Sequence, residues 1–228
     1  MDRVVPAKAH ASTGIWPSGW QAEMGRRTHC ADRRRFTLVA ASIVPALVGP
    51  LVLSGCSHQE FGSLDVTGAS FGRDFRLADE DGRMRTLQDF RGRVVLIFFG
   101  FTQCPDVCPT ALARAADVMR RLGADAERLQ VIFVTIDPER DTPAMLREYT
   151  RAFHPSFLGL SADLATTAAV AKDFRIFYQK VPTGGSYTMD HTAITYAFDP
   201  QGRLRLAIKH AQTADSVAAD VRLLLAGR

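Results

Sequence analysis

The chain has 228 residues, with 28 Lys+Arg, 24 Asp+Glu and a formal net charge of +4. The excess positive charge belongs to residues 1–55, which hold seven basic and three acidic residues, whereas residues 56–228 hold 21 of each. This near-neutral remainder argues against nucleic-acid binding as the function, and its length suits one domain with its own core.

Residues 1–55 are organised like an export signal. A basic segment containing Arg33-Arg34 precedes an uncharged apolar run from Leu38 to Leu53, which leads into Leu53-Ser54-Gly55-Cys56. The arginine pair resembles a twin-arginine signal and the last four residues resemble a bacterial lipobox, so we expect lipidation at Cys56. A retained transmembrane anchor is the alternative, although its apolar run of about 16 residues is short for a span. Both predict a membrane-anchored domain on the periplasmic side of a bacterium.

Three segments follow from this pattern: an export signal over 1–55, a tether over 56–70 and a globular domain over 71–228. The tether is predicted because residues 57–70 are rich in Gly and Ser and lack periodicity. Within the leader, Met24 would begin a more compact basic region, so translation from Met24 is an alternative to Met1.

Two cysteines remain beyond Cys56, and both lie where a strand pattern meets a helix pattern. Cys104 and Cys108 follow the apolar run 94–98 and precede a helical pattern that begins near Pro109. Open α/β sheets build their sites at the carboxyl ends of strands, and a helix N-terminus favours thiolate over thiol. A disulfide closing so small a loop would add little stability. The pair therefore indicates redox or metal chemistry.

The other patterns predict alternating strands and helices. The predicted elements are a hairpin around Asp79–Gly82, strands at 94–98 and 129–136, helices at 111–122, 142–153, 163–174 and 214–226, short extended pieces at 157–160 and 177–181, a loop at 183–186 and a hairpin over 193–208. This order predicts an α/β, thioredoxin-like fold (three-layer α/β/α) with an extra N-terminal β-hairpin and a central insertion.

The predicted topology brings a histidine to the cysteines. The last antiparallel strand starts at the edge where the parallel strands end, so Asp190-His191-Thr192 should lie close to Cys104 and Cys108. Two thiolates and one imidazole form a soft donor set that suits Cu(I) or Cu(II), and zinc with an open position is the alternative. Asp137 either orients His191 or a donor partner from behind the ligands, or is a turn residue before Pro138. Asp190 either steers the positive copper ion or caps the turn.

Three separated motifs together resemble one known family. Phe99–Pro109, Ile136–Thr142 and Asp190–Thr192 closely resemble the signatures of the Sco/SenC family of copper-binding assembly proteins, in the same order and at similar spacing, over roughly residues 65–226. The resemblance implies a thioredoxin-like fold and a copper site formed by Cys104, Cys108 and His191. It also implies a role in assembling the copper A centre of cytochrome c oxidase.

The sequence is compatible with two functions. The first is a copper metallochaperone, a binding protein rather than an enzyme, with the copper-bearing oxidase subunit, a copper donor and a thiol reductant as partners. The second is a thiol–disulfide reductase that keeps the target's copper-ligating cysteines reduced. The Cys-x-x-x-Cys spacing differs from the redox-typical Cys-x-x-Cys, and a redox pair does not need His191. A thiol peroxidase is disfavoured because the extended Pro/Thr pattern before Cys104 is missing.

Overall fold

A computed structural model describes residues 60–228. The predicted export signal, the lipobox and Cys56 lie outside this range. Among the described residues, no helix is long and apolar enough to span a membrane.

The described chain alternates between strands and helices. Its ten strands are β1 Leu64–Asp65, β2 Leu77–Asp79, β3 Met84–Arg85, β4 Val94–Gly100, β5 Leu129–Thr135, β6 Leu158–Ser161, β7 Tyr178–Thr183, β8 Ser186–His191, β9 Ile194–Phe198 and β10 Leu204–Lys209. Its four α-helices are α1 Val107–Leu122, α2 Pro143–Phe153, α3 Leu164–Asp173 and α4 Ala214–Leu225, and 3-10 turns occupy Leu87–Phe90 and Gly123–Arg128.

Eight strands form one sheet in the order β1-β10-β9-β4-β5-β6-β2-β3, and β7 pairs with β8 in a separate ribbon. β4 runs parallel to β5 and antiparallel to β9, with Phe98 opposite Thr195. The elements β4-α1-β5-α3-β9-β10-α4 have the thioredoxin order, because α3 lies on the face of the sheet opposite α1 and α2. The additions in the middle of the chain are α2 with β6, before α3, and the β7–β8 ribbon, after it. The predicted N-terminal hairpin is β2–β3, and it extends the sheet beyond β6. The predicted fold class is confirmed.

Helices cover both faces of the sheet. Every residue of β4 and β5 is buried, which explains their continuous apolar sequences. Phe133 packs against Tyr149 of α2 at 5.4 Å between ring centroids, and Phe98 on the same face lies 6.3 Å from Phe133. Phe99 points to the opposite face, where its ring lies 5.1 Å from that of Phe174, just after α3. Full burial of each such side chain contributes ~1.5–3 kcal/mol.

Side-chain caps begin three of the helices where the sequence predicts. The Thr142 hydroxyl accepts a hydrogen bond from the amide of Met145, with Pro143 in the first turn, and Asp163 caps α3 in the same way. Thr213 caps α4. The helix that carries Cys108 starts earlier than predicted, at Val107 rather than near Pro109. Pro109 fits inside its first turn because the amides of that turn have no partner within the helix, so a residue without an N–H loses no hydrogen bond there.

The N-terminal segment also differs from its prediction. Residues 62–66, predicted to belong to the tether, pack on the domain: β1 pairs with β10, and the amides of Gly62 and Ser63 donate to the Asp220 carboxylate at 2.7 and 2.9 Å. A buried carboxylate that accepts several amides is a strong anchor. The predicted tether therefore overlaps the folded domain.

Candidate metal centre

Three elements converge at the carboxyl end of β4. Cys104 lies in the loop after this strand, Cys108 is the second residue of α1, and His191 is the last residue of β8. Their ligand atoms all lie within 4.8 Å of one another, which makes them a group able to hold one metal ion. Both cysteines are free thiols.

The histidine presents one ring nitrogen to the buried thiol. His191 Nε2 lies 3.5 Å from Cys108 Sγ, and its Nδ1 lies 3.2 Å from the carbonyl oxygen of Thr192. When Nδ1 carries the proton and donates it to that carbonyl, the lone pair of Nε2 faces the sulfurs. This is the tautomer that a metal-binding imidazole requires.

The two thiols are electrostatically different. Hydrogen bonding from the Cys108 thiol, together with the backbone amides of Asp106 and Cys108, lowers the pKa of Cys104 to about 5, although burial opposes the shift. The same thiol–thiol contact and its own burial raise the pKa of Cys108. The amide of Cys108 lies 3.4 Å from Cys104 Sγ, so this sulfur sits at the N-terminus of α1. Cys104 is therefore the thiolate of the pair.

Apolar groups enclose the site from the sheet side. The rings of Phe98 and Phe101 each meet the His191 ring edge-on at 6.0 Å between centroids. Gly100 ends β4 beneath Cys108, and a Cβ on Gly100 would lie 2.7 Å from Cys108 Sγ. The missing side chain therefore makes room for the buried sulfur.

The two predicted acidic residues do not contact the histidine. The carboxylate of Asp137, fully buried, pairs with Arg140 Nε and accepts a hydrogen bond from the Tyr187 hydroxyl at 2.8 Å. Asp190 is exposed and lies on the face of β8 opposite to that of His191, because successive residues of a strand alternate between faces. The structure thus brings together Cys104, Cys108 and His191 and leaves Asp137 and Asp190 away from the ligand atoms.

Asp141 is a supporting residue that the sequence analysis missed. Its buried carboxylate accepts hydrogen bonds from the amide and hydroxyl of Thr102, the latter at 2.6 Å, and from the hydroxyl of Thr135 at 2.6 Å. Burial raises the pKa of Asp141, and the Thr102 and Thr135 hydrogen bonds oppose the shift. The carboxylate ties the start of the cysteine loop to the end of β5. The sequence feature that could have identified Asp141 is its position within the second motif, Ile136–Thr142.

The donor set fits copper. Two thiolates and an imidazole are soft-to-borderline ligands, the site lies at a sheet edge enclosed by aromatic rings, and a half-buried sulfur at Cys104 leaves a path to solvent. Fold and site together define a thioredoxin-like protein with a candidate soft-metal centre of two cysteines and one histidine.

Comparison with known proteins identifies the family. The SCO1/SenC family profile matches residues 65–226, so the chain belongs to the SCO1/SenC family. The bovine mitochondrial SCO2 homolog is 39% identical over 153 residues, which cover 65% of this chain and 58% of that protein. The match thus spans less than two thirds of this relative.

Solved structures agree with the fold. The copper-bound structure of Bradyrhizobium japonicum ScoI is 43% identical, with a TM-score of 0.63, and the match covers 68% of this chain and 99% of that one. BsSco, a member of the Sco family of cytochrome c oxidase assembly proteins, is 22% identical with a TM-score of 0.59, over 73% of this chain and 99% of that one. The second similarity supports the fold alone.

Proposed function

We propose that this protein is a copper metallochaperone that binds one copper ion through Cys104, Cys108 and His191 and delivers it for assembly of the copper A centre of cytochrome c oxidase. The observation that carries the proposal is the convergence of the three ligand atoms within 4.8 Å. Membership of the SCO1/SenC family and the copper bound by Bradyrhizobium ScoI support the choice of metal.

The three ligands have different parts in capture and release. Cys104 is half-buried and its pKa is about 5, so at neutral pH it offers a thiolate without first losing a proton. Cys108 is fully buried and must release its proton when the metal enters, which makes binding pH-dependent. His191 lies on the separate β7–β8 ribbon and supplies the third ligand. Release to a partner then proceeds by exchange of ligands, with Cys104 as the accessible one.

The cellular setting of this proposal follows from the leader. We propose that Cys56 is lipidated and holds the domain on the periplasmic face of a bacterial membrane, where the membrane-bound oxidase subunit is the acceptor. The acceptor is the one that membership of the SCO1/SenC family implies. A copper donor and a thiol reductant complete the proposed set of partners, because both thiols must be reduced before copper binds.

A thiol–disulfide reductase is the second candidate, and the lowered pKa of Cys104 favours it. In that reaction the Cys104 thiolate attacks a target disulfide and forms a mixed disulfide, releasing one target thiolate. Cys108 then attacks Cys104, releases the second target thiolate and leaves a Cys104–Cys108 disulfide. The target gains two electrons, and an external dithiol must supply two to regenerate the protein.

Replacement of the histidine separates the two candidates. The reduced full-length chain would be titrated with Cu(I) against a competing chelator without oxygen, and with Cu(II) while sulfur-to-copper charge-transfer absorption is followed. For a chaperone, we expect one copper per chain and a loss of about 10- to 100-fold in affinity for His191→Ala.

His154→Ala is the matched control, because His154 lies at the C-terminal end of α2 and hydrogen-bonds Ser156 rather than the cysteines. Its copper affinity should equal that of the unchanged protein. Absence of competitive copper binding, combined with rapid reduction of a disulfide substrate by both the unchanged and the His191→Ala protein, would contradict the chaperone and support the reductase.

A further inference from the structure

The ribbon that carries His191 stands outside the main sheet. β7 and β8 pair only with each other in the described sheets, and most of their residues are exposed or half-buried. At its base, the amide of Thr192 donates to the carbonyl of Phe177 at 2.9 Å. The sheet therefore holds the ribbon at one end, through β9, and leaves the position of its far end to side-chain contacts.

The buried side chain of Met189 on β8 supplies one such contact, and the loop between β5 and α2 supplies polar ones. Arg140 Nη1 donates to the carbonyl of Tyr187 on β8 at 2.8 Å, and its guanidinium carbon lies 3.7 Å from the centre of the Tyr187 ring. Arg140 also pairs with the buried carboxylate of Asp137, which accepts the Tyr187 hydroxyl. We name these three residues, Asp137, Arg140 and Tyr187, the Arg140 clamp.

The Arg140 clamp is a buried and rigid group of side chains rather than a surface ion pair. Asp137 is fully buried and the Arg140 side chain is 16% exposed, so this ion pair is shielded from solvent. A planar guanidinium that stacks on a ring while donating to a carbonyl and a carboxylate has little freedom left. By contrast, the neighbouring Lys180–Glu139 pair, which also joins the ribbon to this loop, is about half exposed on both sides and holds the ribbon weakly.

The same loop also reaches the cysteines. Asp141, near the end of this loop, accepts hydrogen bonds from the amide and hydroxyl of Thr102 at the start of the cysteine loop. In addition, the Arg140 guanidinium lies 5.9 Å from the centre of the Phe101 ring, and Phe101 meets the His191 ring edge-on. Residues 137–141 thus contact both halves of the metal centre, the cysteine loop and the histidine ribbon.

We propose that Arg140 is a positioning residue of the metal centre: by clamping Tyr187, it holds the β7–β8 ribbon where His191 can complete the two-sulfur, one-nitrogen site. This inference rests on the proposed function only in that the three residues bind one metal ion. Arg140 supplies no ligand, and its effect on the metal runs through His191. Asp137 contacts Arg140 and Tyr187 rather than His191, so it contributes through this clamp.

A double-mutant cycle tests the route. Cu(I) affinity would be measured by chelator competition on the reduced full-length chain for the unchanged protein, Arg140→Gln, His191→Ala and the double variant. We expect Arg140→Gln to lower the affinity about 10- to 100-fold in the His191 background and by less than about threefold in the His191→Ala background. An equal loss in both backgrounds, or no loss in the first, would overturn the proposal.

Two controls separate positioning from general loss of folding. Arg120→Gln removes the same charge from an exposed residue of α1, and it should leave the affinity unchanged. Tyr187→Phe removes only the hydroxyl bond to Asp137 while keeping the ring under Arg140, so it should fold even where Arg140→Gln does not. Its smaller affinity loss should also vanish in the His191→Ala background, and a loss that persists there counts against the clamp.

A measurement without metal keeps this inference distinct from the proposed function. In the metal-free reduced protein, Arg140→Gln should speed amide hydrogen exchange in residues 186–191 by about tenfold or more while exchange in β9 and α4 stays unchanged. Uniformly faster exchange, or unchanged exchange in β8, would overturn the positioning role. If His191→Ala itself leaves copper affinity intact, the proposed metal site fails, and this exchange experiment still decides whether Arg140 positions the ribbon.

Discussion

Replacing Gly100 by alanine should damage both the stability of the domain and its metal centre. A Cβ at this position would lie 2.7 Å from Cys108 Sγ, 2.9 Å from Phe133 Cε2 and 3.1 Å from Phe98 Cε1. All three neighbours are buried, at 0%, 0% and 3% exposure, so none can move aside into solvent. Overpacking of this kind costs ~1–3 kcal/mol. Cys108 has the smallest of the three side chains and makes the closest contact, so displacement of its sulfur from His191 should also lower copper affinity.

Urea unfolding of the reduced chain would measure the stability loss, and chelator competition would measure the affinity. Gly185→Ala is the matched control: it makes the same chemical change where nothing lies within 4 Å, so we expect its stability to stay within about 0.5 kcal/mol. If Gly100→Ala equals this control in stability and in copper affinity, then close packing of Cys108 on the end of β4 is not what shapes the site.

Cys104, Asp141 and Asp220 can each be tested by one measurement. Because its pKa is about 5, Cys104 should react with iodoacetamide nearly as fast at about pH 6.5 as at about pH 8, and a midpoint near the ordinary thiol value of about 8.5 would contradict this. Asp141→Asn should cost ~1.5–3 kcal/mol in urea unfolding, since the carboxylate accepts both the amide and hydroxyl of Thr102; unchanged stability would refute it. Asp220→Ala should expose the segment around Ser63 to limited proteolysis, and an unchanged cleavage pattern would show that β1 pairing alone anchors it.

Local patterns were sufficient for most of the fold. The continuous apolar runs that form β4 and β5 identify buried parallel strands, and Thr142-Pro143 and Asp163 mark helix starts by caps that need only neighbouring residues. The strand order then places the two cysteines and His191 at one edge of the sheet, because carboxyl ends of parallel strands and the start of an antiparallel partner must meet there.

Prediction failed where a contact joins distant residues without a local pattern. The ribbon strand β8 was predicted as a loop at its start, because Ser186–His191 is largely polar and half-exposed and shows no apolar alternation. The segment before residue 70 was predicted as a free tether, since a two-residue strand and two amides bound to Asp220 leave no periodic trace.

The sequence by itself determined the fold class, the thiolate–imidazole chemistry and the three residues that converge, because each rests on composition, spacing or strand order. Only the tertiary structure decided how those residues are held. Asp137 pairs with Arg140 and accepts a hydrogen bond from Tyr187 rather than from His191, and Asp141 accepts a hydrogen bond from the Thr102 hydroxyl. A buried carboxylate is stable only when it is hydrogen-bonded, so its partners are the donors that lie within reach once the chain has packed. Which donors those are depends on distances between elements far apart in the sequence.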